Sequence, residues 1–414
     1  MTQWDGKSGE PIVKKTVPYS ANTSALLTLT SSDQKILVSV DGTRYVSLNT
    51  KDAFSTGDIW FGADGSGDGW TLNDIQLGGG VQLQDPSASE ATRGKDTLAS
   101  HADAYRPMFK IGSAISLYPL MIDPEYRKLA LNHFSIWTPE NEMKAQFIHS
   151  ERDVYTFEEA DALVETAQKN GIAVHGHALV FGEANPKWMQ NTPKNELQAV
   201  MGGHITSIMR HFKGKVSEWD VINEPLSEED TPDNLRRSIW YNAMGKSFIA
   251  NALRIARAAD PDAKLYINEY GLEEDGERWN AFLNLIKELK ADNVPLDGVG
   301  FQSHIYEKGD EVNTEVLRSH IRQLAELGIV SRISEADVHG ENSERQAQQY
   351  AAVLKACIEE PTCTSFSVWG ISDKYGSTTS DHTYLPEYGD DLLWNSDFKP
   401  KEAYKQIVAL LVKP

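Results

Sequence analysis

The chain has 414 residues, 40% of them apolar and including 10 Trp and 15 Tyr, with a formal net charge of −20. That charge argues against nucleic acid or an anionic membrane as partner, since both would repel it, while the length accommodates a large barrel plus a modest extra domain. No apolar run is long enough to span a bilayer, and Met1-Thr2-Gln3-Trp4 does not open a signal peptide, so the chain reads as cytoplasmic or as the trimmed form of a secreted or periplasmic protein.

The first 80 residues show no helical period. Short β-prone runs at residues 25–30, 36–40 and 45–48 alternate with Ser31-Ser32-Asp33 and Asp41-Gly42 turns, which predicts a small antiparallel β domain over residues 1–80. Between Lys35 and Leu77 the chain resembles the later strands of laminin-G-like or lectin-type sandwiches, through Val40-Asp41-Gly42, residues 59–65 and residues 69–75. Trp60 and Trp70 are candidate sugar-stacking rings, although packing inside the β unit is the commoner role for such residues. Residues 81–100, rich in small and polar side chains, read as a linker.

From residue 101 to 414 strand-like runs alternate with amphipathic helical ones. Candidate strands cover residues 109–113, 134–138, 173–179, 216–223, 264–269, 299–303, 330–335 and 365–369, separated by helical patterns such as residues 157–167 and 278–289. Eight strands alternating with helices predict an α/β fold of the (β/α)8 TIM-barrel type.

Within that frame, Glu218-Trp219-Asp220-Val221-Ile222-Asn223-Glu224-Pro225 is an apolar strand core that ends on Asn-Glu and is stopped by proline. Glu224 therefore stands at the carboxyl end of a strand, the face where catalytic groups collect in such barrels. A second β-prone run, Val330-Ser331-Arg332-Ile333-Ser334-Glu335, ends the same way. One strand-end glutamate is as often a salt-bridged scaffold residue, but two suit an acid/base and a nucleophile, which retaining glycosidases hold about 5–5.5 Å apart. Other proposed strand ends carry Glu140, Asn141 and Lys144, then His177, Asn268 with Glu269, Gln302 with His304, and Trp369. Barrel stability does not require that clustering.

Cys357 and Cys363 flank Pro361, close enough to bridge across a helix-to-strand loop; two free thiols are the alternative, and a bridge would go with export. No metal or organic cofactor is implied. His101, His133, His204 and His211 lack ligand spacing, and His175 and His177 are read as pointing to opposite sides of one strand. The acidic runs Glu228-Glu229-Asp230 and Glu273-Glu274-Asp275 read as solvated loops.

Seven motifs in order carry a resemblance: Thr138-Pro139-Glu140-Asn141-Glu142-Met143-Lys144, His175-Gly176-His177-Ala178-Leu179-Val180, Trp219-Asp220-Val221-Ile222-Asn223-Glu224, Leu265-Tyr266-Ile267-Asn268-Glu269-Tyr270, Gly300-Phe301-Gln302-Ser303-His304, Ile333-Ser334-Glu335-Ala336-Asp337 and Val368-Trp369-Gly370-Ile371-Ser372-Asp373. Together they resemble glycoside hydrolase family ten, the retaining endo-β-1,4-xylanases. The resemblance implies Glu224 as general acid/base and Glu335 as nucleophile. It implies support from Asn223 at the sugar 2-hydroxyl and from His304 on Glu335, with Asp337 orienting His304. Substrate contacts would come from Glu140, Asn141, Lys144 and His177 on the non-reducing side, from Gln302 and Trp369 at the reacting sugar, and from Phe181 and Tyr270. A disulfide common in the family matches Cys357 and Cys363.

The chain also departs from the family pattern. Where family members usually carry Trp, His and Gln, it has Phe181, Gly182 and Ala184, and Ser377 stands about where a second Trp is usual. These changes predict a pocket roomier and less committed to xylose, which Tyr375, Tyr384, Tyr388 or Trp394 would refill. Three readings follow: a retaining endo-β-glycosidase acting on xylan or a related polysaccharide, the same mechanism on another β-glycan or a glycoside with a bulky aglycone, and a carbohydrate-binding protein without catalysis. The expected partner is an oligosaccharide or polysaccharide, met by a monomer, with no nucleic acid and no membrane insertion.

Overall fold

The computed structural model describes residues 27–32, 35–40, 43–49, 94–306, 309, 311–340, 343–376 and 390–412. The chain divides into two compact units, Met1–Leu83 and Gln84–Pro414. In the first, β1 (Leu27–Ser32), β2 (Lys35–Val40) and β3 (Thr43–Asn49) form an antiparallel sheet in that order. Trp60, Trp70 and most of the lectin-like motifs lie outside the described residues.

The second unit is a closed parallel barrel. Its strands are β4 (Lys110–Ile115), β5 (Ile136–Pro139), β6 (Ala173–Phe181), β7 (Glu218–Asn223), β8 (Lys264–Glu269), β9 (Gly298–Phe301), β10 (His304–Tyr306), β11 (Val330–His339) and β12 (Cys363–Val368). β9 and β10 are successive pieces of one strand, broken at Gln302 and Ser303, and both pair with β11, which brings the count to eight. Closure comes from β12 pairing with β4.

Local chemistry explains the helices that surround it. In Glu158–Lys169, Ala160, Leu163, Val164 and Ala167 recur at helical spacing and are buried, while Glu158, Glu159 and Asp161 in the first turn complement the helix dipole. The helix Thr314–Glu326 starts where the Asn313 side chain accepts hydrogen bonds from the backbone of Glu315 and Val316. Apolar side chains such as Val174, Trp219, Val221, Leu265, Ile267 and Val299 are fully buried and belong to the main hydrophobic cluster. Burying each aliphatic side chain contributes about 1.5–3 kcal/mol.

Polar groups fill the barrel's lumen. His175 and His177 both lie against Asp220, with His175 Nε2 2.9 Å from one carboxylate oxygen and His177 Nδ1 2.9 Å from the other. This corrects the expectation that the two histidines face opposite ways: residues two apart on a strand share a face. Arg332, fully buried, donates to Ser367 at 3.2 Å and Thr138 at 3.4 Å. Cys357 and Cys363 form a disulfide where the helix Glu344–Ile358 leads into β12.

Candidate active site

Glu224 follows directly on β7 with φ 51°, a left-handed conformation that turns its side chain out of the strand's alternation. Its backbone N–H donates to Asn268 on β8 at 2.9 Å. Its carboxylate accepts from Asn223 Nδ2 at 3.1 Å, Gln302 Nε2 at 3.2 Å and Arg236 Nη2 at 3.1 Å. Burial raises the Glu224 pKa; donation by Gln302 and the charge of Arg236 oppose this, nearby Glu335 adds to it, and the net shift is upward.

Glu335 lies within β11 and is buried at 5% exposure. Asn268 Nδ2 donates to it at 2.5 Å and His304 Nε2 sits 3.2 Å from its other oxygen. His177 Nδ1 is 3.9 Å away. Burial alone would push this carboxyl up, but the His304 hydrogen bond and the neighbouring His177 and His304 more than offset it, and the pKa falls below the usual value. His304 Nδ1 is held by Asp337 at 2.9 Å. Although burial disfavours the imidazolium, Asp337 and Glu335 raise the His304 pKa well above its ordinary value.

The two carboxylates are joined by a pair of asparagines. Asn268 Nδ2 donates to Asn223 Oδ1 at 2.9 Å as well as to Glu335, whose acceptor-only carboxylate fixes the amide orientation, and its own Oδ1 accepts from Ser334 at 2.6 Å. A Cβ on Gly300 would overlap that Asn268 oxygen, so glycine is required beside it.

Trp369 stands over this arrangement. Its ring centroid is 5.4 Å from that of His177 and 6.4 Å from that of His304, both edge-on, and Lys144 Nζ lies 5.7 Å from it. Lys144 donates to Asn141 Oδ1 at 3.1 Å, while Asn141 Nδ2 is buried with no partner, a donor free to meet a ligand. Glu140 is buried beside them at the end of β5.

Phe181, Gly182, Asn223, Glu224 and Arg236 line one recess. Tyr270 lies farther out: its hydroxyl donates to Glu228 at 2.7 Å and accepts from Arg236 at 3.2 Å, and its ring packs under Arg278.

Three expectations need correction. The space freed at Gly182 is taken by Arg236, whose Cδ would be 2.8 Å from an added Cβ, so the pocket is not opened there. Tyr375 and Trp394 do not refill it: Tyr375 packs on Tyr126 and donates to Asp123, and Trp394 packs against His133, Phe134 and Tyr404. Ser377, Tyr384 and Tyr388 lie outside the described residues. Glu273 is not solvated but buried, accepting from Ser303 at 2.8 Å.

Sequence reasoning named Asn268 only among the polar strand ends, with no individual role, and did not single out Asp220 or Arg236. Asn268 carried a signal, because Ile267-Asn268-Glu269 repeats Ile222-Asn223-Glu224 and the two asparagines pair in register. Arg236 carried none, since it reaches Glu224 from an irregular segment.

The comparisons with known proteins agree with this geometry. The family described as Glycosyl hydrolase family 10 matches residues 100–410. Endo-1,4-beta-xylanase B of Thermotoga neapolitana is 37% identical over 296 residues, covering 69% of this chain and 83% of that one. Beta-1,4-xylanase of Dictyoglomus thermophilum is 35% identical over 334 residues, covering 75% and 91%. The crystal structure of xylanase 10B from Thermotoga petrophila RKU-1 in complex with xylobiose superimposes with a TM-score of 0.70 at 35% identity, covering 78% of this chain and 98% of that one. The chain is a glycoside hydrolase and belongs to glycosyl hydrolase family 10.

Proposed function

We propose that the chain is an endo-β-1,4-xylanase that cleaves by double displacement. The observation that carries this reading is the split between two linked carboxyls at one barrel mouth, Glu224 shifted towards the protonated form and Glu335 towards the ionised one. Glu335 attacks the anomeric carbon while Glu224 protonates the leaving oxygen. Glu224, now ionised, then takes a proton from water, which releases the sugar from Glu335. His304, oriented by Asp337, and Asn268 keep the nucleophile charged. Asn223 uses one amide hydrogen on Glu224 and has a second for the sugar 2-hydroxyl.

Glu140, Asn141, Lys144 and His177 hold the sugars on the non-reducing side, with Gln302, Phe181 and Trp369 at the reacting sugar and Tyr270 beyond Arg236. The names of the relatives support xylan as substrate, and the acidic chain suits a neutral polysaccharide better than an anionic one. The disulfide supports export to an oxidising compartment, and among the described residues no helix is long and apolar enough to cross a membrane. Residues 1–80 are read as a β domain and residues 81–100 as its linker, although Leu98, Ala99 and Ser100 already form the first turn of the helix Leu98–Tyr105 of the second unit.

Reducing-sugar release from xylan and from β-1,4- and β-1,3-glucans, with the first-formed anomer followed by NMR, tests the proposal. Release from xylan with initial β-anomer supports it. Cleavage of a glucan but not xylan would reassign the substrate, and initial α-anomer would end the double-displacement reading.

A further inference from the structure

Outside the catalytic pair, the described residue that most needs explaining is Tyr306. It is 68% exposed, a large ring left in water at the carboxyl end of β10. Single exposed apolar residues are common and need no role, but the position of this one is set by the strand that carries the site. In the parallel register His304 pairs with Asp337 and Tyr306 with His339. Side chains two apart on a strand share a face and are separated by about 6.6 Å along it. Tyr306 and His339 therefore stand one step outward from the pair that holds the nucleophile, on the same side. Their rings lie 5.1 Å apart with planes tilted by 32°, and His339 is anchored by Asp391 at 2.9 Å, which gives the tyrosine a fixed backing.

Strand order gives the direction. Going round the barrel from β5, which ends at Glu140, to the β9/β10 strand, three strands intervene on one side (β6, β7, β8) and three on the other (β4, β12, β11), so the two are diametrically opposed. Glu224 after β7 and Glu335 on β11 stand on opposite sides of that diameter. A glycan with its non-reducing part at Glu140, Asn141 and Lys144 and its cleaved bond between the carboxylates leaves the mouth towards Tyr306.

We propose that Tyr306, backed by His339, is a stacking platform for a pyranose ring on the leaving-group side of the cleaved bond. This deepens the xylanase reading and rests on it. An aromatic face offers apolar area to the C–H face of a sugar at low entropic cost. The platform lies outside the reacting sugar's position, so it acts on long substrates and not on the chemistry itself.

The test compares wild type, Tyr306→Ala and Tyr306→Phe on two substrates, xylohexaose and a nitrophenyl xylobioside, which carries no pyranose ring on the leaving-group side of the cleaved bond. The expected result is a fall of about tenfold in kcat/KM on xylohexaose for Tyr306→Ala, restoration by Tyr306→Phe, and unchanged rates on the aryl xylobioside for all three. Equal losses on both substrates, or no loss on xylohexaose, would overturn the platform while leaving the xylanase reading intact. If wild type cleaves neither substrate, the xylanase reading fails and the platform with it.

Discussion

Glu224 and Glu335 are the same side chain at the same mouth of one barrel, and their surroundings push them in opposite directions. Around Glu335, Asn268 and His304 donate directly and His177 lies close by, so charge is stabilised despite near-complete burial. Around Glu224 there are two neutral amides and one arginine, and that arginine is shared with Glu183 and Tyr270. The balance of neighbouring charge, more than burial or the number of donors, sets which carboxyl keeps its proton: His304 and His177 favour the ionised form of Glu335, whereas Glu335 and Glu183 work against Arg236 at Glu224.

The strongest way to break this contrast is to delete its charged member. Glu335→Ala is expected to lower kcat on the order of 10⁵-fold in steady-state assays while the fold, followed by circular dichroism, is kept. Next comes the shared amide: Asn268→Ala removes a donor from the nucleophile and the link to Asn223, and kcat should fall about 10²-fold. A loss under threefold would show that the asparagine bridge is not part of the machinery.

The two remaining variants sharpen the contrast through pH profiles of kcat/KM. The acid limb reports ionisation of the nucleophile and the alkaline limb loss of the acid's proton. His304→Ala removes an interaction that lowers the Glu335 pKa, so the acid limb should move to higher pH and the active range should narrow from below. Arg236→Gln removes a charge that lowers the Glu224 pKa, so the alkaline limb should move to higher pH and the range should widen from above. Movement of the opposite limb in either variant would exchange the roles assigned to the two glutamates.

Much of this was legible in the chain. The eight strand runs and both carboxyls follow from short apolar segments in which polarity returns at Asn-Glu or Ser-Glu; β7 does stop there, but β11 runs on through Glu335 to His339, so the nucleophile is not at a strand end as the sequence predicted. Orientation at those ends was not legible. Glu224 and Glu269 share the Ile-Asn-Glu context, yet Glu224 takes a left-handed turn into the mouth, whereas Glu269 is fully buried against Arg278 with its pKa raised to about 7 by burial. Long-range fillers were also hidden: the loss of bulk at Gly182 read as open space, but Arg236, more than fifty residues later, occupies it. The face shared by His175 and His177 was legible, since strand alternation dictates it, and Asp220 between them completes the cluster.

Double displacement requires that Glu335 bond covalently to the sugar. An activated 2-deoxy-2-fluoro-xylobioside tests it most directly, because fluorine destabilises the positively charged transition states and an activated leaving group lets only the first step proceed. Mass spectrometry of the digested protein should find one fluoroxylobiosyl group on the peptide that carries Glu335. An adduct on Glu224, or no adduct while xylan turnover continues, would contradict the account.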